Sequence, residues 1–175
     1  TTEYESVNMM GQQLNDETDF PHISGDGNYI VFQSFATNLG AANNANRNIY
    51  LHNRITDENY LVSFDLAQNP TQENFYPMVS SDGRYITFDS PSDNLVTGDS
   101  NGFRDTFLHD SVSQTTILLS RSTGGTQGNA DSAGGMGSPK AISADGLHVA
   151  YLTEANTLFP NDNNSRIDVM VTDLN

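Results

Sequence analysis

Residues 77–95 run Pro77-Met78-Val79-Ser80-Ser81-Asp82-Gly83, then Arg84-Tyr85-Ile86-Thr87-Phe88-Asp89-Ser90, and close on Asn94-Leu95. Two short runs of β-branched and aromatic residues flank Ser-x-Asp-Gly, the pattern of two strands joined by a tight hairpin. Glycine supplies the positive φ such a turn needs, and Ser80 and Asp82 are placed to bond turn backbone groups. The same wording occurs twice more. Pro21-His22-Ile23-Ser24-Gly25-Asp26-Gly27 leads to Leu39, and Pro139-Lys140-Ala141-Ile142-Ser143-Ala144-Asp145-Gly146 leads to Leu158. Asp26 to Asp82 is 56 residues and Asp82 to Asp145 is 63.

Within each copy the apolar residues have the period of strands, not helices. The middle copy predicts four strands, at Phe75–Val79, Tyr85–Asp89, Thr106–His109 and Thr116–Leu119. The first copy places its second, third and fourth strands at Tyr29–Gln33, Ile49–His52 and Tyr60–Val62. The third places second and third strands at His148–Leu152 and Val169–Thr172, with no fourth before Asn175. Residues 3–7 precede the first Pro as residues 59–63 precede the second, so they read as a fourth strand detached from its sheet.

Repeats of this length, each a small sheet, predict an all-β chain with a β-propeller fold and three four-stranded blades. Residues 1–8 are the outer strand that closes the last blade, 19–63 blade one, 74–120 blade two, and 136–175 blade three without its outer strand. Propellers close with roughly four to eight blades, so three make an arc with an unpaired strand edge. The expectation is a two-fold homodimer forming one six-bladed ring, residues 3–7 of each copy pairing with Val169–Thr172 of the other. Half of a longer propeller is the competing expectation.

Composition narrows the partners. There are 22 acidic residues against six Arg and one Lys, giving a formal charge of -15. Such a surface repels phosphate backbones and anionic lipid, which argues against nucleic-acid and membrane partners. The acids are scattered over turns, as in a solvated surface or one adapted to high salt. With no cysteine there is neither a disulfide framework nor a thiolate zinc site. The compartment stays open between cytoplasm, periplasm and cell exterior.

The stretch Pro77–Ser90, with Asn94-Leu95-Val96-Thr97-Gly98-Asp99-Ser100-Asn101-Gly102-Phe103-Arg104-Asp105, resembles the WD40-like, or PD40, repeats of the TolB-type β-propellers. The likeness covers almost the whole chain in three in-phase copies. It departs at an extra residue after Pro139, at a longer Gly-rich approach from Gly124 to Gly135, and at the loss of a residue and its acids before Ile49. The resemblance implies a six- or seven-bladed platform used mostly to bind other proteins, with enzymes where a catalytic domain is fused.

Two loops share the spacing Asp-x-Asn-x-x-x-Asp: Asp99, Asn101 and Asp105, then Asp162, Asn164 and Asp168. Alternating hard oxygens in a turn suit Ca²⁺, which takes six to eight such ligands. The first copy has no carboxylate there, reading Asn43-Asn44-Ala45-Asn46-Arg47-Asn48, and Asp and Asn equally shape turns by bonding their own backbone. On the innermost strands His22, Met78 and either Lys140 or Ala141 share a position and are candidates to line the channel. His52 and His109 recur at one place in two blades, as a structural feature does. Ser24, Ser80 and Ser143 recur at one turn position, whereas a nucleophile is normally unique. No nucleophile elbow, phosphate loop, zinc-protease or dinucleotide motif occurs.

Two functions are expected on this basis. The first is a non-enzymatic binding platform for a protein, peptide or small ligand at the channel. The second is a hydrolase or lyase acting on a polysaccharide, with a cluster of unlike polar residues in the channel mouth.

Overall fold

The computed structural model describes residues 2–40, 46–69, 71, 73–132 and 140–174. Pro139, Asn43–Ala45 and the part of the Gly-rich approach after Ser132 lie outside them. The described residues form eleven strands and no helix, and no helix is long and apolar enough to cross a membrane. Strands β1 (Thr18–Ile23), β2 (Tyr29–Ser34), β3 (Asn48–Asn53) and β4 (Glu58–Leu61) make the first antiparallel sheet in sequential order. β5 (Phe75–Val79), β6 (Tyr85–Ser90), β7 (Asp105–Asp110) and β8 (Thr115–Leu118) make the second. β9 (Ala141–Ile142), β10 (His148–Thr153) and β11 (Asp168–Asp173) make the third, which has three strands.

The repeated turn is built as its residues dictate. Ser24, Ser80 and Ser143 each donate a hydroxyl hydrogen bond to the Asp two residues on, at 2.6, 2.6 and 2.5 Å. Each hydroxyl accepts the N–H of the residue that opens the second strand, Tyr29, Tyr85 or His148, at 3.0 Å. Gly27, Gly83 and Gly146 hold φ of 73°, 77° and 73°.

The turns also join the blades. Asp26 N–H donates to Ser81 O at 3.2 Å, and Ser81 N–H donates to Ala144 O at 3.3 Å. The Tyr29 ring covers Gly83, and the Tyr85 ring covers Gly146, so closely that a Cβ would lie 2.1 and 2.2 Å from a ring carbon. Beneath these contacts Val31, Ile49 and Leu51 of the first sheet pack on Val79, Ile86, Phe88 and Phe107 of the second. Leu108 and Leu119 pack on Val149 and Tyr151 of the third.

The fourth strands β4 and β8 end one residue earlier than the apolar pattern predicts, for a chemical reason. Ser63 and Ser120 hydroxyls accept the N–H groups of Ile49 and Thr106 at 2.9 and 3.1 Å, so a side chain takes over from the ladder. Residues 2–6 form no strand within one chain, and Val7 only bridges Gln13. They are docked nonetheless. Arg54 donates to Glu3 and Glu5 at 2.7 Å each, and Asn59 Nδ2 donates to Val7 O at 3.0 Å.

The seated rings give a direct test. Gly27 has open space around its Cβ position while Gly83 does not, although the backbone angles match. Gly27→Ala is expected to cost about 1 kcal/mol from the left-handed backbone, and Gly83→Ala about 3 kcal/mol once ring displacement is added. Urea unfolding midpoints of the two variants measure this, and equal losses would mean that the Tyr29 ring does not set the blade spacing.

Candidate functional site

β1, β5 and β9 lie side by side on the inside of the arc. Two of them carry the same irregularity. β1 loses register between Asp19 and His22, and β5 between Phe75 and Met78. At the bulges Phe20 and Tyr76 hold φ of 49° and 52°, a left-handed backbone that aromatic residues seldom adopt. The proline that follows each of them, Pro21 and Pro77, cannot donate to the ladder. Tyr76 N–H instead donates to Gln33 Oε1 of the first sheet at 3.0 Å. The bulges turn the two rings toward one another, edge to face with centroids 4.9 Å apart.

Cations gather beside these rings, at the end of the blades where β1 and β5 begin. The Arg47 guanidinium lies 4.8 Å from the Phe35 ring and 4.8 Å from the Phe75 ring. Arg104, its counterpart one blade on, lies 4.6 Å from Phe75. Lys140 Nζ is 5.7 Å from the Tyr76 ring. Three of the chain's seven Lys and Arg residues therefore meet three aromatic rings, Phe35, Phe75 and Tyr76, at one mouth of a strongly acidic protein.

Lys140 corrects one expectation. Ala141 faces Ala150 across the ladder as Met78 faces Thr87 and His22 faces Val31, so Lys140 aligns with Pro77 and not with Met78. Its side chain is 1 % exposed and donates to Asp89 Oδ2 at 2.6 Å, hence it does not line open channel. Asp89 Oδ1 also accepts from Thr106 Oγ1 at 2.9 Å. Burial pushes the Asp89 carboxyl up and the Lys140 ammonium down, and each charge partly offsets the other's shift. Met78 and His22 do occupy equivalent half-buried places. Val79 N–H donates to His22 Nδ1 at 3.3 Å, and burial holds this imidazole below its usual range, so the ring serves to tie β1 to β5.

In the Asp-x-Asn-x-x-x-Asp loops several side-chain oxygens are engaged in hydrogen bonds within the chain. Asn101 spends its amide on Phe103 N–H and Gly128 O, both at 3.1 Å. Asp99 accepts from Gln127 at 3.0 Å. Asn164 accepts Arg166 N–H at 2.7 Å, and Asp162 accepts Asn164 N–H at 3.4 Å. Asp105 is fully buried, takes the Ser120 hydroxyl at 2.5 Å on one oxygen, and leaves Oδ2 without a partner. Burial raises it to about 6. Asp168, its counterpart in the third sheet, likewise has an unpartnered buried Oδ2. Among the described residues no three His, Asp or Glu side chains are grouped to hold a metal ion. Sequence reasoning missed Arg47, Arg104, Phe20 and Tyr76. Only the 57-residue interval between the two arginines hinted at them.

Two variants test this electrostatics. Lys140→Met strands a buried carboxylate and is expected to cost about 3–5 kcal/mol. The folded Asp89 then binds its proton more tightly than the unfolded one does, so the deficit grows as pH rises above the ordinary Asp range. Adding Asp89→Asn should remove that growth in urea melts. Asp105→Asn copies Asn48 at the matching place in blade one. The folded Asp105 carboxyl, raised to about 6, loses stability as pH climbs from the ordinary Asp range through 6. The Asn variant should be flat across that window, and a persisting slope would assign it to another group.

No protein-family profile and no curated protein matches the chain. Solved structures do. TolB from Acinetobacter baumannii is 18 % identical with a TM-score of 0.51, over 95 % of this chain and 32 % of its own. A putative TolB from Agrobacterium tumefaciens is 16 % identical at 0.51, over 94 % and 48 %. An oligogalacturonate lyase in complex with manganese is 12 % identical at 0.53, over 95 % and 38 %. The chain thus spans about a third to a half of these three structures. At these identities the likeness shows fold alone, and with three sheets of one repeated design the chain has a partial β-propeller fold.

Proposed function

We propose that the chain is a binding platform that a second copy completes as a six-bladed ring, with its ligand taken at the channel mouth beside Phe20 and Tyr76. One observation carries the assembly. Ile49 and Leu51 of β3, and Thr106 and Leu108 of β7, are 0 to 4 % exposed, whereas Val169 and Val171 at the same places on β11 are 71 and 60 % exposed. The first two faces are each covered by the next blade; the third needs one.

Residues 2–7 supply the matching piece. Ser6 stands where Ser63 and Ser120 stand in their repeats, and its hydroxyl has no partner among the described residues. In blade two the equivalent serine bonds Asp105 and Thr106 N–H. The same pairing across copies brings Ser6 to the unpartnered Asp168 carboxylate and to Val169 N–H. The groove along β11, about 870 Å³ and walled by Leu118, Arg121, Met170 and Val171, takes the incoming strand. The same N-terminal segment already packs on blade one, with Glu5 Oε2 3.2 Å from His52 Nε2, so it ties one copy to the other. A platform is favoured over a turnover site because the buried carboxyls are engaged in structure, Asp89 with Lys140 between two blades and Asp105 with Ser120 within one.

Light scattering on the eluting protein is expected to give about twice 19.1 kDa. Val171→Asp, at an exposed position of the single chain, should halve that mass and keep the β-sheet circular dichroism. A folded wild-type monomer overturns the dimeric ring.

A further inference from the structure

We propose that Arg47 and Arg104, which share the Phe75 ring, form a site for a carboxylate-bearing ligand, with Glu73 holding the place of the ligand's acid when it is absent. The proposal names the ligand class of the platform's mouth and rests on that reading, but it uses residues of one copy alone.

Arg104 is the telling residue. Its guanidinium has a ring contact and, among the described residues, neither a hydrogen bond nor an ion pair, the Asp89 carboxylate acting on it only at longer range, although such a fork carries five donors. Its Nε is sealed from water without a partner, and the Nε of Arg47 is sealed likewise. Arginine N–H groups left unmet at a protected site are costly, and a planar carboxylate satisfies two of them at once. Both cations lie within 5 Å of one ring, so each raises the cost of the other until an anion is added. The ring faces hold the two guanidinium planes in place before binding, which spares the entropy of ordering long side chains.

Among the described residues, the acid in an ion pair with these arginines is Glu73, 3.7 Å from Arg47 Nη1. That is a long contact, the Glu73 side chain is 48 % exposed, and its φ is 46°, a strained setting for a surface pair worth little in itself. It has the character of a displaceable internal acid. Asp89 lies close by but is committed to Lys140 and Thr106. The left-handed Phe20 and Tyr76 add an apolar edge for the carbon frame of the ligand. A carboxylate on a carbon frame fits this mouth better than inorganic phosphate, because only the carbon frame can use the apolar edge of Phe20 and Tyr76.

Adipate, whose two carboxylates are separated by four methylenes, is the probe, titrated calorimetrically into the full chain up to about 10 mM, with inorganic phosphate in parallel. Saturable adipate binding is expected. Arg104→Gln should weaken it about tenfold or more, and Arg104→Lys, which keeps the charge but not the fork, by less. Glu73→Gln should tighten it by removing the competitor. Absence of saturation, equal affinity in Arg104→Gln and wild type, or phosphate binding as tightly as adipate each overturns the assignment. The urea midpoint of each variant separates misfolding from lost binding, with Arg47→Gln as the second variant should Arg104→Gln fail to fold. Light scattering on the same samples reports the assembly independently, so a dimer that ignores adipate refutes the site alone, and a monomer that binds it refutes the ring alone.

Discussion

The spacing of the blades depends on an aromatic ring set on a glycine. Tyr29 sits on Gly83 and Tyr85 on Gly146, where a single added carbon would collide with the ring. Because the glycine belongs to the hairpin that orders one sheet and the ring to the sheet before it, local turn chemistry and blade stacking are held by the same atoms. The backbone bonds from Asp26 to Ser81 and from Ser81 to Ala144 follow the same line around the arc. With this separation set, the apolar faces close into two shared cores, and each blade owes most of its burial to a neighbour.

That dependence explains why the two ends of the arc differ from its middle. β7 is covered on both faces and both edges, whereas β11 has an open edge, two exposed valines and a buried carboxylate oxygen with nothing to bond. An edge of this kind is a template for another strand. The mouth of the inner strands departs from the rest of the molecule in another way. It concentrates left-handed aromatics and cations set against aromatic rings, features that cost stability locally and are tolerated where the surrounding sheet holds them.

How much of this was legible varied with the range of the interaction. The Ser-x-Asp-Gly turn and the flanking strands were readable because every partner lies within five residues, from Ser80 to Asp82 and from Ser80 to Tyr85. Phase alone predicts a strand in the N-terminal segment, and within one chain residues 2–6 form none. Lys140 misled because the third copy carries one residue more between Pro and Ser, which moves the lysine one place along β9 and swings it into the sheet against Asp89. In the Asp and Asn loops one spacing serves Asx turns as well as a cation, as Asn101 accepting Phe103 N–H and Asn164 accepting Arg166 N–H illustrate, so the pattern alone does not choose between them.

By itself the sequence determined the hairpins, the number of blades and the phase in which they repeat, since these rest on short-range hydrogen bonds and a two-residue alternation of side chains. Tertiary structure alone decided which distant groups meet. Arg47 and Arg104 share the Phe75 ring, and Lys140 reaches Asp89 across 51 residues, because two bulges and one stacking distance bring separate blades together there. Such convergence depends on angles between sheets, for which no pattern along the chain carries a signal.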